Sequence, residues 1–225
     1  MAAALTLYRS SIGKKAIMAL TGLIGVGFLI GHMVGNLKVF LGAESFNTYA
    51  EFLREVGEPL LPYSTLLWII RLVLLGAVGL HILAAYQLTR MDWAGRPVHY
   101  AKRKDVQATF ASRTMRWGGV IILLFLIYHI LDLTLGVLNP NFVRGDAYHN
   151  FVASFSLWPV TLFYVLAMLP LGLHLYHGFW SLFQTLGWNN RTYNQLLRFL
   201  AVAIAVVVTV GFIAGPLGVL FGIVA

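Results

Sequence analysis

At 225 residues, with 59 % hydrophobic and 11 % charged side chains and a mean hydropathy of +0.79, the chain carries more apolar surface than one soluble core of this size buries. The absence of cysteine excludes covalent haem attachment through Cys-x-x-Cys-His, a thiolate-held iron–sulfur cluster and structural disulfides. A net charge of +8 does not describe a nucleic-acid surface, because the basic residues cluster at the ends of apolar runs, as the positive-inside rule requires.

Five apolar stretches reach the roughly 20 residues needed to cross a hydrocarbon core. They run over residues 16–41, 60–88, 117–138, 157–186 and 196–224. The sequence predicts an all-α integral membrane protein, one membrane domain over residues 1–225, with five transmembrane helices forming a bundle.

The first run follows Arg9, Lys14 and Lys15 but is too long for a signal-peptide core and is not followed by a small-residue cleavage site. Gly25 to Gly31 superficially resembles a dinucleotide loop. No strand precedes it and the glycine spacing is wrong, so that reading is rejected. Gly27, Gly31 and Gly35 instead recur every four residues, a small-residue stripe where a second helix or a flat ring approaches closely. The first connection, with Glu44, Glu51, Glu55 and Glu58, reads as an amphipathic outer helix with a solvated acidic face.

The second run holds Arg71 and His81, and the connection after it holds Arg90, Arg96, Lys102, Arg103, Lys104, Arg113 and Arg116. His129 lies in the third run, and His174 and His177 lie in the fourth. Pro170 and Pro216 are isolated kink candidates, not the matched pair of broken helices expected of a transporter built from repeats. Arg191 and Arg198 flank the last connection, so twelve of the sixteen basic residues fall on one side, and most of the acids fall on the other. The amino terminus is therefore expected in the cytoplasm and the carboxyl terminus outside.

Four histidines then stand in four separate apolar runs. A polar side chain at membrane depth is costly and is kept where it faces the bundle interior and binds or moves something. His32 precedes Leu41 by nine residues and His129 precedes Leu138 by nine, which at 1.5 Å per residue puts both roughly 14 Å below the outer surface. His81 precedes Met91 by ten and His177 precedes Trp188 by eleven, roughly 15 to 17 Å from the inner surface. Two pairs of facing imidazoles in apolar slots predict two bis-histidine haems b, outer and inner. His174 lies one turn deeper than His177 and is assigned to packing; His99 and His149 read as solvated or interfacial.

Specific segments strengthen this reading. Ser10-Ser11-Ile12-Gly13-Lys14-Lys15, Met18-Ala19-Leu20-Thr21-Gly22, His32-Met33-Val34-Gly35-Asn36-Leu37 and Phe40-Leu41-Gly42 resemble the first helix of the cytochrome b anchor of bacterial succinate:quinone oxidoreductases. His174-Leu175-Tyr176-His177-Gly178, with Ser181 to Gly187, resembles the fourth helix of the five-helix, two-haem type in that family. In helix count and order the likeness covers essentially the whole chain.

The resemblance implies an outer haem ligated by His32 and His129. It implies an inner haem ligated by His81 and, from the His-Gly step, His177. It also implies a flavoprotein that oxidises succinate, an iron–sulfur subunit that docks on the basic cytoplasmic face, and a quinone, menaquinone in this type, as electron acceptor. The chain would then be the subunit of a succinate dehydrogenase that does not bind succinate, in a bacterial cytoplasmic membrane, and a higher oligomer of the complex is among the expectations.

Anionic haem propionates need cations or water at the membrane edge, which makes Arg9, Lys14, Arg90, Arg113 and Arg116 inner candidates and Arg71 the outer one. Ser10, Ser11, Lys14 and Trp117 are candidates for the surroundings of an inner quinone head. Some relatives carry a glutamate for proton transfer two residues before the inner fourth-helix histidine. That position here is Leu175, so the resemblance carries no such path to this chain. The alternatives are a di-haem anchor of a hydrogenase or formate dehydrogenase, which the one-histidine-per-helix pattern disfavours, and a haem-free transporter.

Overall fold

The computed structural model describes residues 9–95 and 109–225. Helix α1 (Ser11–Leu37) starts where Ser10 Oγ accepts the Gly13 amide at 3.0 Å, satisfying one of the free N–H groups of the first turn. A 3-10 turn (Lys38–Leu41) follows, and Gly42, at φ +87°, redirects the chain into α2 (Gly42–Glu55). No residue of α2 is buried, as expected of a helix with a solvated acidic face.

Helix α3 covers Thr65–Ala94, five residues later than the apolar run begins, because Pro59 and Pro62 cannot donate to a helical ladder. Helix α4 (Phe110–His129) starts well before the expected Trp117, since Thr109 Oγ1 caps the Ser112 amide at 3.2 Å and carries the polar segment into the helix. It runs into a π-helical turn (Ile130–Thr134) closed by the Leu135 amide on the Ile130 carbonyl at 2.9 Å. A short helix absent from the sequence reading, α5 (Ala147–Phe155), is capped by Asp146, whose Oδ1 accepts the His149 amide at 2.9 Å. Helices α6 (Trp158–Thr185) and α7 (Asn194–Leu220) complete the chain and continue through Pro170 and Pro216.

Five helical stretches are long and apolar enough to cross a membrane: Ser11–Glu55, Thr65–Ala94, Phe110–Thr134, Trp158–Thr185 and Asn194–Leu220. Helices α6 and α7 lie against each other; α1 packs on α3, α6 and α7, and α4 packs on α6. The bundle centre is Met33, Ala167, Met168, Leu171, Leu175, Ala205 and Val208, so Leu175 is a core residue. A second cluster, Val39, Phe151, Phe155, Tyr164, Val219 and Val224, closes the outer end. Large apolar side chains such as Leu72, Leu75, Leu124, Leu166 and Val207 are exposed on the periphery, where lipid is their solvent.

Lipid tails are as apolar as leucine, so these helices adhere through close packing. Gly211 makes room for the Met33 thioether, which a Cβ there would overlap. In the glycine stripe of α1, Gly35 receives the Tyr49 ring, whereas Gly27 and Gly31 face open space. At the outer end, Asn47 joins α2 to α5: its amide donates to Asp146 Oδ1 and its carbonyl accepts the Tyr148 amide, both at 2.9 Å.

Candidate functional site

His32 projects from α1 and His129 from the last position of α4, and their ring centres are 5.8 Å apart with planes at 83°. Phe28, one turn before His32, stacks on it at 5.1 Å, and Phe125 and Tyr164 pack against His129 at 5.9 Å. On the other side of the bundle, His81 of α3 meets a histidine of α6 at 6.1 Å. That partner is His174.

The sequence reading pairs His81 with His177, and the structure sets His174 against His81 instead. Counted from the ends of the apolar runs, His174 lies one turn deeper than His81. Helix α3 extends to Ala94, past the Met91 used as its end, whereas α6 stops at Thr185, short of Trp188. The two differences act in the same direction, together amount to more than one helical turn, and bring His174 level with His81. His177 lies one turn towards the basic end and lines a cavity of about 320 Å³ with Thr109, Tyr176, Trp180 and Arg198. Arg198 stacks over the Trp180 ring at 4.6 Å.

Two imidazoles sharing one metal ion at metal–nitrogen distances of about 2.0 Å have ring centres roughly 6 Å apart. Both observed pairs match that spacing. His174 Nδ1 is buried without a hydrogen-bond partner, an arrangement that costs free energy unless the ring has another role. Among the described residues no group of three or more His, Asp or Glu could hold a metal ion, so a polycarboxylate or tris-histidine centre is not what this geometry offers. The donor set fits a haem, which His32 with His129 and His81 with His174 would hold through their imidazoles.

Hydroxyl groups reach one ring of each pair. Thr21 Oγ1 is 3.1 Å from His81 Nδ1, and the Tyr164 hydroxyl is 3.4 Å from His129 Nδ1. Tyr164 also donates to Asp132 Oδ2 at 2.8 Å, and Ser154 Oγ donates to the same oxygen at 2.7 Å. Asp132 is 1 % exposed. The sequence reading counts it only among the outer-side acids. A carboxylate three residues after a membrane histidine, inside an apolar run, is the signal that picks it out. Thr21 and Tyr164 carry no such signal, because both are ordinary residues of helices.

The expected propionate partners fall in different places. Arg116 is paired with Asp92 at 2.6 Å, and Arg71 lies on the exposed side of α3 over the Trp68 ring at 4.9 Å. Arg90 reaches the Tyr86 hydroxyl at 3.3 Å, while Arg9 and Arg113 are exposed. Of the inner quinone candidates, Ser10 caps α1, Ser11 is exposed, Lys14 is buried, and Trp117 is 75 % exposed. At the outer end, Lys38, Leu41, Glu44, Ser45, Thr48, Tyr49 and Phe52 line an open groove of about 540 Å³. Glu51 is not in it; it is engaged by Tyr63 at 2.6 Å and Arg54 at 2.8 Å. His149 is exposed, with its Nε2 2.9 Å from the Asn141 carbonyl. His99, Arg96, Lys102, Arg103 and Lys104 lie outside the described residues.

Residues 100–213 match the model of the succinate dehydrogenase/fumarate reductase transmembrane subunit family. The succinate dehydrogenase cytochrome b558 subunit of Bacillus subtilis (strain 168) is 28 % identical over 175 residues, 77 % of this chain and 79 % of the relative. No solved structure matches the chain. With five helices fit to cross a membrane and a family match over half its length, this multi-pass membrane protein belongs to the succinate dehydrogenase/fumarate reductase transmembrane subunits.

Proposed function

We propose that the chain is the cytochrome b anchor of a bacterial succinate dehydrogenase, passing electrons from an iron–sulfur subunit through two haems b to menaquinone. The observation that carries this is the pair of histidine contacts, 5.8 Å and 6.1 Å, drawn from four different helices. His32 and His129 would hold the outer haem, and His81 and His174 the inner one. Haem b, when bound, supplies a one-electron carrier at each site. The chain's own residues place the two carriers at different depths, keep water from them with the aliphatic core, and present a neutral imidazole on each side.

The cytoplasmic end is taken as the one carrying Arg9, Arg90 and Arg113, and it is the docking face for the iron–sulfur subunit and its flavoprotein. Arg9, Lys14, Arg90, Arg113 and Arg116 are the inner propionate candidates, Arg116 from within an exposed pair with Asp92, and Arg71 is the outer one. His177 and Arg198 line the cavity one turn below His174 and belong to the inner edge of the same site. For the quinone, the outer groove with Glu44 offers a cavity beside a carboxylate able to take up a proton. The inner set of Ser10, Ser11, Lys14 and Trp117 rests on nearness to the docking face.

The test is anaerobic addition of succinate to the purified three-subunit complex, with haem reduction followed optically and a soluble menaquinone analogue added afterwards. Reduction of both haems by succinate and reoxidation by quinone is the expected result. Haems that remain oxidised while the flavoprotein turns over with an artificial acceptor would remove the reading. Glu44→Gln and Trp117→Ala then assign the quinone: the one that abolishes reoxidation with both haems retained marks the site.

A further inference from the structure

A hydroxyl has one proton to give and lone pairs to accept with. Thr21 Oγ1 is 2.7 Å from the Ile17 carbonyl oxygen and 3.2 Å from that of Met18, so its proton is committed to the backbone of α1. Towards His81 Nδ1, 3.1 Å away, the same oxygen can only accept. With Nδ1 of His81 as the donor to that oxygen, beside a further hydrogen bond between His81 and the Met18 backbone, Nε2 is left as the bare nitrogen.

The outer pair repeats the logic with different residues. Tyr164 gives its proton to Asp132 Oδ2 at 2.8 Å, a carboxylate further fixed by Ser154 at 2.7 Å. The π-helical turn that follows His129 holds Asp132, which is fully enclosed, within reach of Tyr164. Facing His129 Nδ1 at 3.4 Å, the Tyr164 oxygen is likewise limited to accepting. Neither opposing ring is served in this way: His32 stacks on Phe28, and His174 Nδ1 is buried without a partner.

We propose that Thr21 and Tyr164 are positioning residues that fix His81 and His129 as Nδ1–H tautomers, one ring in each pair, with Asp132 orienting Tyr164. The inference rests on the haem reading above. A hydrogen bond on the far ring nitrogen makes the ligating nitrogen a stronger donor and favours the oxidised metal. Each hydroxyl therefore lowers the potential of its own haem and leaves the other alone.

The test is a redox titration of both haems, with their low-spin paramagnetic resonance signals, in the purified complex and in Thr21→Ala, Thr21→Ser and Tyr164→Phe. Thr21→Ala should raise the inner haem potential by about a tenfold change in its reduction equilibrium, ~59 mV for one electron, and leave the outer haem unmoved. Thr21→Ser should restore the original value. Tyr164→Phe should shift the outer haem alone; if it does not retain that haem, Asp132→Asn, which weakens the hold on the Tyr164 proton, should move the outer potential in the same direction. Unchanged potentials with both haems present, equal shifts of both haems from one substitution, or no rescue by serine would each overturn the proposal. A wild-type complex without haem would instead remove the function on which it rests.

Discussion

The ring of His174 packs on that of His81 at 6.1 Å, although the sequence pattern, with glycine following His177, points one turn further along α6. The two histidines are three positions apart on one helix face, so either can turn towards α3. The structure distinguishes them by what surrounds each. His174 Nδ1 is buried without a partner, whereas His177 opens on a polar cavity with Arg198 and Thr109.

His174→Ala is accordingly expected to remove one haem from the complex, and His177→Ala to retain both. Haem quantitation by alkaline pyridine spectra on each purified variant reads the difference directly. Retention of both haems in His174→Ala would return the assignment to His177.

His32→Ala and His129→Ala should each remove the same haem, leaving the absorption band of the inner one intact. A second haem absent from either variant would mean that the two pairs do not act as separate sites.

Gly211→Val tests helix adhesion beside the outer pair, since Met33 follows His32 and Phe212 packs on the His32 ring at 5.8 Å. A side chain there must displace the Met33 thioether from a filled core, an overpacking cost of about 1–3 kcal/mol. The purified complex should unfold at a lower temperature, with any spectral change below the transition confined to the outer haem.

Asp146 supplies the pH dependence of the outer cap. The His149 amide, then the Asn47 side chain, holds its carboxyl below the ordinary aspartate value of 3.8. A depressed folded value means that the contribution is fully present above the ordinary value and is lost only as pH falls through the lower folded one. Amide exchange at Tyr148 and His149 should therefore stay protected down to the ordinary carboxylate range and rise below it. Asp146→Ala should expose these amides at every pH, with a loss of about 1 kcal/mol from the cap.

Much of the fold can be read directly from the chain. Runs of apolar residues long enough for a bilayer have few structural solutions, so five helices followed from hydropathy alone. The nearness of His32 to His129 was legible because each lies nine residues before the end of its apolar run. The inner pair was less so, since hydropathy ended α3 too early and α6 too late, and a depth measured from those ends selected His177 over His174. Helix α5 escaped notice because nine residues capped by Asp146 leave little periodic signal. Thr21 and Tyr164 were invisible for a different reason: their roles depend on which helix stands opposite them. Asp132 differs from these two in carrying a sequence signal, an acid inside an apolar run, which the reading by charge side alone passed over.

Haem content of the wild-type complex tests the central claim most directly. A dithionite-reduced minus oxidised spectrum with quantitation should give two haems b per copy of this chain. A complex that assembles with no haem, or with one, would contradict two bis-histidine sites, and the four membrane histidines would need another explanation.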